Sequence, residues 1–309
     1  MTLENSIFLI LTSIVVSSGL NFWFIKLRKF DAINHRSVHR GKATKTGGLG
    51  VFITLFIFSF YFYINNIEIY DFSFLIPLGI MFIVGVYDDF YNADFKLKFF
   101  LQIIVAKILI DQGLIIDDFH GVLGLNEIPR LASQLFTVFV FLVIVNSFNF
   151  IDGIDGLAIT EAVKVILLIE FLSNKYTPFF NLGIITVLCL LPLYYFNYKR
   201  DYKVFLGDAG SLFLGTLISI YLFYILGSDY ELLEGLNANK PFLAMSLIAY
   251  PLLDLLRVFT IRIINKKSPF RPDQNHIHHI FIKKGYPHLI VLIIIQSLSL
   301  LFLPFPFIS

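Results

Sequence analysis

The sequence contains little cysteine and little charge. Cys189 is the only cysteine among 309 residues and lies within an apolar run, so an internal disulfide and a thiolate metal cluster are excluded. Charged residues make up 15% of the chain, well below the roughly 25% of an ordinary soluble domain. A Walker-A loop and a Gly-x-Gly-x-x-Gly dinucleotide fingerprint are also missing. These absences argue against redox chemistry, nicotinamide chemistry and ATP hydrolysis.

Apolar residues dominate what remains, at 57% of the chain. We therefore predict an all-α polytopic membrane protein with about ten transmembrane helices (ten or eleven), forming one integral-membrane domain over residues 1–309. The first run lacks a basic leader and a cleavage pattern, so it is predicted to remain as a span. The predicted spans cover residues 7–26, 48–65, 73–87, 98–116, 134–149, 157–173, 179–197, 211–227, 241–261 and 287–307.

The distribution of lysine and arginine predicts that the N-terminus lies outside. With that orientation, the loops on the cytoplasmic side contain most of the 24 basic residues, as the positive-inside rule requires. The loops on the opposite side contain three, Arg130, Lys175 and Lys240. The loops that carry the polar motifs are then cytoplasmic.

Four polar clusters lie at predicted helix ends on this cytoplasmic side. A single carboxylate at a helix end is most often a cap or a solvated loop residue. Ionisable groups next to membrane spans are nevertheless costly, and they usually line a water-filled cavity or a site. Four clusters on one side therefore favour a functional site. Their sequences are "GVYDDFYNADFKLK" (85–98), "NSFNFIDGIDGLA" (146–158), "VFLGDAGS" (204–211) and "SPFRPDQNHIHHIFIKKG" (268–285).

The side chains in these clusters suit a hard cation and phosphate groups. Carboxylate and amide oxygens are the ligands that magnesium accepts, and Asn149 and Asp208 could supply one each. Gly207 opens a predicted helix whose N-terminal amides could bind a phosphate, although an ordinary glycine-rich cap is the alternative. The histidine segment lacks the HExxH spacing of a zinc site. Its histidines lie beside Arg271, a composition that suits anionic phosphate groups better.

Taken together and in this order, the motifs resemble the polyprenyl-phosphate N-acetylhexosamine-1-phosphate transferases, the family of MraY and WecA. The resemblance runs from about residue 35 to 286, and the His-x-His-His segment is similar to the WecA-like branch. It is carried by "RSVH...GGLG", "DD" with "KLK", "NSFNFIDGIDGLA", "VFLGDAGSLFLG" and "SPFRPDQNHIHHIF". The resemblance implies transfer of N-acetylglucosamine-1-phosphate, or a related sugar phosphate, from a UDP-N-acetylhexosamine to undecaprenyl phosphate. UMP is the second product, the location is the bacterial cytoplasmic (inner) membrane, and the product initiates a cell-surface polysaccharide.

The resemblance also implies roles for individual residues. Asp208 is expected to bind Mg²⁺, or Mn²⁺ in its place, with Asn149 as a second ligand. Asp88 and Asp89 are expected to handle the lipid phosphate, either in one step or through an aspartyl phosphate. The other expected catalytic residues are His278 and His279, and the expected substrate-binding residues are Asp152, Asp155, His276, Arg271, Lys96, Lys98, His39 and Gly207.

The chain departs from the family pattern at the residues that precede the second span. Many family members have a Pro-Arg pair before the glycines that open the second span, whereas this chain has Lys45 and Thr46. A homodimer is left open, and nucleic acid is not an expected partner.

Two other classes of protein compete with this interpretation. A proton- or ion-coupled transporter also carries acids within its membrane region, but here the acids gather on one side and no inverted repeat is detectable. A CDP-alcohol phosphotransferase motif would begin with Asp152, Asp155 and Gly156. Thr160 replaces the arginine of that motif, and its two later aspartates are missing, so we reject this class.

Overall fold

A computed structural model describes residues 3–30, 42–199, 202–268 and 275–304, and in these ranges the chain is almost entirely α-helical. The only strands in the described ranges are β1 (Ala43–Thr44) and β2 (Lys203–Val204). The predicted site residues His39 and Arg271 lie outside the described ranges. The helices there are α1 (Leu3–Lys26), α2 (Gly47–Ile64), α3 (Leu75–Tyr91), α4 (Phe95–Asp111), α5 (Arg130–Ile151), α6 (Leu157–Leu172), α7 (Phe180–Asn197), α8 (Gly207–Leu226), α9 (Lys240–Leu247), α10 (Ala249–Ile264), α11 (Ile277–Lys283) and α12 (His288–Leu300).

The helices agree with the predicted all-α membrane fold. Within the described residues, six helices are long and apolar enough to cross a membrane, and a seventh span results if α9 and α10 are counted as one. Helices α4, α6 and α12 coincide with predicted spans but contain only 17, 16 and 13 residues. The count of about ten spans and the orientation therefore stay predictions.

The predicted span 241–261 is broken at Ile248, where α9 and α10 meet at 77°. Pro251 accounts for the break, because a proline inside a continuous helix would clash with the carbonyl four residues earlier, that of Leu247. Since α10 begins at Ala249, Pro251 falls in its first turn, where no amide donor is required. The span predicted over 241–261 is therefore a bent pair of helices, which together are still long and apolar enough for one span.

The chain divides into two compact units, each made of two separate stretches of sequence. Unit 1 comprises Met1–Val105 and Tyr176–Leu217. Within it, α1 packs against α2 and α7, and β1 pairs in parallel with β2. The first amides of α2 extend this pairing, because Gly47 donates to the carbonyl of Phe205 at 2.9 Å and Gly48 to that of Leu206 at 2.8 Å. The loop before α2 is thereby fixed to the loop before α8.

Unit 2 comprises Ala106–Lys175 and Ile218–Ser309. Within it, α5 packs against α6 and α10, and α12 packs against α10 and α11. A buried ion pair of α6 is hydrogen-bonded to α12: Lys164 Nζ donates to Glu161 Oε1 in α6 and to Ser299 Oγ in α12, both at 2.7 Å. Gln296 Nε2 donates to the other Glu161 oxygen at 2.9 Å. Both oxygens of this carboxylate therefore have donors, as a buried charge requires.

Candidate functional site

In unit 1, the carboxylates of Asp88 and Asp208 meet at one ammonium group, that of Lys98. Lys98 Nζ donates to Asp88 Oδ2 and lies 3.4 Å from Asp208 Oδ2. The exposed fractions of the three side chains are 13% for Asp88, 18% for Lys98 and 33% for Asp208. Two acids around one cation, open to solvent on one side, form a polar site at the ends of three helices. We call these three residues the acidic pair with its lysine.

A sharp turn between α3 and α4 brings Asp88 and Lys98 together. Asn92 ends α3 in the left-handed conformation with φ +52, and its amide donates to the Asp88 carbonyl. The next amide, that of Ala93, donates to Asp88 Oδ1 at 2.8 Å. The chain then enters α4 within two residues, which places Lys98 in its first turn. Lys96 is exposed, so only the second lysine of "KLK" reaches the acids.

Asp89 has a different environment from its neighbour Asp88. Its side chain is only 1% exposed, and Lys45 Nζ lies 3.5 Å from Oδ1. The two oxygens accept the backbone amides of Asp208 at 3.1 Å and Ala209 at 3.0 Å, which caps the N-terminus of α8. Gly207 has φ +73, and a Cβ there would lie 2.7 Å from Asp89 Oδ2. Asp89 therefore fixes the helix end that carries Asp208, and two amides of the predicted phosphate site donate to this carboxylate.

Gly85 allows α3 to approach the start of α8. A Cβ at this position would lie 2.3 Å from the carbonyl oxygen of Asp208 and 2.4 Å from Ala209 Cα. Both contacts are with backbone atoms, which cannot rotate away. The separation of the acidic pair therefore depends on the missing side chain at Gly85.

We expect Gly85→Ala to destabilise unit 1 by about 1–3 kcal/mol, the usual cost of overpacking, and to lower any activity that needs Asp88 beside Asp208. Gly79→Ala is the matched control on the same helix, since its Cβ would meet only Phe52 Cζ at 3.5 Å. Thermal unfolding in detergent micelles measures both variants. Equal melting temperatures for the two would contradict this account of the helix contact.

In unit 2, the "DGIDG" segment forms the turn between α5 and α6. Asp152 follows the last residue of α5, and Gly156 precedes α6 with φ +76, a conformation that glycine adopts without strain. Asp155 is buried, and its Oδ2 lies 2.8 Å from His288 Nδ1 at the start of α12. The segment therefore forms a tight turn, and a contact with α12 fixes one of its two acids.

The three predicted histidines lie together at the start of α11. The ring centroids are 4.3 Å apart for His278 and His279, and 5.5 Å apart for His276 and His278. His278 is fully buried, and its Nδ1 lies 3.0 Å from the Tyr250 hydroxyl. Burial, and then the neighbouring imidazoles, hold the pKa of His278 well below its usual range. His278 is therefore a neutral ring at neutral pH.

The second ring nitrogen of His278 faces the "DGIDG" turn. Its Nε2 atom is buried and has no hydrogen-bond partner among the described residues. A Cβ on Gly153 would lie 2.4 Å from this atom. A side chain at position 153 would therefore displace the histidine, so the glycine of this turn is required for the packing of α11.

Sequence reasoning missed Asp254, which contacts His276 and the first residue of α11. Its carboxylate is fully buried; Oδ2 is 2.7 Å from His276 Nδ1, and Oδ1 accepts the amide of Ile277 at 2.9 Å. Asp254 belongs to the apolar run 241–261 and to none of the four motifs. The signal that could have identified it is an acid inside a predicted span, which usually marks a functional group.

The structure groups the predicted residues in two places. Asp88, Asp89, Lys98, Gly207 and Asp208 lie together in unit 1, whereas Asn149, Asp152, Asp155 and the three histidines belong to unit 2. Among the described residues, no group of three or more His, Cys, Asp or Glu side chains is placed to bind a metal. The roles expected for the individual residues, including Asn149 as a metal ligand, stay predictions.

The fold and the two clusters define one class of protein: an apolar, almost entirely helical chain that carries a pair of acids at one site and a histidine cluster at another. The chain belongs to glycosyl transferase family 4, whose family profile matches residues 71–226. It is 30% identical over 271 residues to the undecaprenyl-phosphate alpha-N-acetylglucosaminyl 1-phosphate transferase of Yersinia pestis, with 85% of this chain and 72% of the relative covered. The membership predicted from the four motifs is thereby confirmed.

Two further relatives agree with this assignment. The probable undecaprenyl-phosphate N-acetylglucosaminyl 1-phosphate transferase of Bacillus subtilis (strain 168) is 28% identical over 297 residues, covering 95% of this chain and 80% of the relative. The corresponding alpha-N-acetylglucosaminyl transferase of Escherichia coli (strain K12) is 28% identical over 273 residues, covering 84% and 71%. The transporter alternative receives no support from these comparisons.

Proposed function

We propose that the protein transfers N-acetylglucosamine-1-phosphate, or a related N-acetylhexosamine-1-phosphate, from a UDP-sugar to undecaprenyl phosphate. The products are the lipid-diphosphate sugar, which initiates a cell-surface polysaccharide, and UMP. The observation that carries this proposal is the acidic pair with its lysine, Asp88, Lys98 and Asp208. The names of the relatives support the choice of acceptor and sugar. The distribution of lysine and arginine supports an inner-membrane protein of about ten spans with these loops in the cytoplasm.

The reaction joins two anions, so charge rather than basicity limits its rate. The acceptor is a phosphate monoester with a second pKa of about 6, and at neutral pH it is already mostly dianionic. One of its oxygens attacks the sugar-bound phosphorus, and the phosphorus–oxygen bond to UMP breaks. Lys98 supplies a fixed positive charge at the acids. Asp88 then orients the acceptor or removes its residual proton.

The acidic pair also fits a divalent cation. Asp88 and Asp208 already share one positive group, and both are partly open to solvent. Magnesium commonly takes only one or two protein carboxylates and completes its shell with water and substrate phosphate. When bound, magnesium would neutralise charge on the diphosphate and on the leaving UMP. Manganese is the alternative metal, and Asn149 is the proposed second source of a ligand oxygen.

The histidine cluster and the "DGIDG" turn of unit 2 are the proposed donor-binding residues. Neutral His278, with His276 and His279 beside it, provides ring nitrogens that can donate hydrogen bonds to the UDP-sugar or accept them from it. Asp152 and Asp155 are the proposed partners of donor hydroxyl or base N–H groups. These assignments follow the family resemblance, and the clustering of the three histidines supports them.

The experiment that tests this function measures UMP release by the purified protein in detergent micelles. Undecaprenyl phosphate is supplied as acceptor, and UDP-N-acetylglucosamine and UDP-N-acetylgalactosamine as donors, with magnesium, manganese or a chelator. We expect UMP release that requires both the lipid phosphate and a divalent cation. Samples without lipid control for hydrolysis of the donor. The absence of metal-dependent UMP release with every UDP-sugar tested would contradict the proposal.

A further inference from the structure

Asp254 connects α10 to the histidine segment through both of its oxygens. A carboxylate only accepts hydrogen bonds, so the 2.7 Å contact of Oδ2 with His276 Nδ1 places the ring proton on Nδ1. The second ring nitrogen, Nε2, is then the acceptor whenever His276 is neutral. The carboxylate therefore determines which ring nitrogen of His276 can accept a proton or a hydrogen bond.

The same carboxylate fixes where α11 begins. Oδ1 accepts the amide of Ile277, the first residue of α11, at 2.9 Å. Arg257, one turn further along α10, donates to the carbonyl of Asn275 at 2.6 Å. Two side chains of α10 thus hold the residues on either side of His276. The direction of α11, and with it the placement of His278 and His279, follows from these contacts.

We propose that Asp254 is a positioning residue for the UDP-sugar: it sets the tautomer of His276 and the start of α11 without touching the donor. This inference rests on the proposed function, in which the histidines bind the donor. Outer partners of metal-binding histidines commonly change metal affinity or activity by about 10–100-fold when they are lost, and we expect the same scale for a histidine that binds the donor. An effect of that size on the donor alone is the expected consequence.

The substitution Asp254→Asn tests this role because it keeps the shape and changes the hydrogen bonding. An asparagine has one acceptor oxygen, whereas His276 and Ile277 together present two donors. Either the α11 amide loses its partner, or His276 adopts the other tautomer. We expect kcat/KM for the UDP-sugar to fall by about 10–100-fold, while KM for undecaprenyl phosphate stays within about twofold. Glu231→Gln, an exposed acid in a loop of unit 2, is the control expected to leave both constants unchanged.

A double variant separates positioning from general stability. If Asp254 acts through His276, then His276→Ala with Asp254→Asn is no less active than His276→Ala alone. Losses that multiply, or an equal rise of both KM values, would overturn the proposal, and so would wild-type kinetics of Asp254→Asn. If Asp254→Asn does not fold in micelles, Asp254→Glu takes its place in the same cycle, and multiplying losses there are equally adverse. A wild-type protein that releases no UMP would instead contradict the proposed function.

Discussion

Asp208→Asn and Asp88→Asn should each lower the turnover number for UMP release by about 10²–10³-fold, the loss typical of removing one fixed charged or polar group from a transition state. Each carboxylate contacts Lys98 Nζ through one oxygen, so either substitution leaves a single charged acid beside the lysine. Steady-state UMP release, measured at pH 6 and pH 8 over a range of magnesium concentrations, tests this expectation. Asp208→Asn should also shift the magnesium dependence to higher concentration.

Asp89→Asn is the matched comparison, because Asp89 is adjacent to Asp88 but caps α8 instead of joining the pair. Loss of a helix cap costs about 0.5–2 kcal/mol, so this variant should show a lower melting temperature and a smaller loss of turnover per folded molecule. Turnover of Asp88→Asn near the wild-type value at both pH values would show that the proposed role of Asp88 is wrong.

Lys164→Met should destabilise unit 2 by about 3–5 kcal/mol, because it leaves the buried Glu161 carboxylate without its cation. Glu161 is completely buried, and Lys164 provides its closest positive charge at 2.7 Å. Gln296 and Ser299 extend the contact to α12, so the loss should also loosen that helix. Thermal and denaturant unfolding in micelles of fixed composition measure the change.

Two controls separate burial from charge in this prediction. Lys175→Met breaks a pair of the same charges with Glu231, in loops outside the predicted spans, whose side chains are 82% and 62% exposed, so it should cost at most about 1 kcal/mol. The double variant Glu161→Leu with Lys164→Leu removes both charges together, and we expect it to be more stable than Lys164→Met alone. A melting temperature for Lys164→Met equal to that of Lys175→Met would contradict the account.

The sequence predicted the helical class well, since long apolar runs are a direct signal, and the glycines and acids between these runs marked the segments that contain the acidic pair and the histidines. It could not distinguish Asp88 from Asp89. Adjacent residues on a helix point about 100° apart, so one faces Lys98 and the other faces the start of α8. That difference depends on which helix packs against which face of α3. The spacing of glycines in the sequence does not show which helices pack together.

The acid at position 254 was hidden for a related reason. Hydropathy averages over a window, so one buried carboxylate in the run 241–261 does not change the assignment of a span. Its importance arises from Ile277 and His276, more than twenty residues further along the chain. The break at Ile248 was missed because prolines also occur inside many membrane helices, so Pro251 in the sequence does not by itself show that a helix is interrupted.

Because unit 1 consists of two separate stretches of sequence, it can be completed only late in the synthesis of the chain. Ribosomes deliver α1 to α3 to the membrane long before Tyr176–Leu217, the second stretch of the same unit, has been translated. During that interval β2 has not been made, so β1 is unpaired. The face of α3 at Gly85 also lacks its contact with Ala209. The acidic pair with its lysine is completed only when Asp208 is inserted. A chain that ends before Asp208 cannot form the acidic pair with its lysine, so we expect such truncated products to release no UMP.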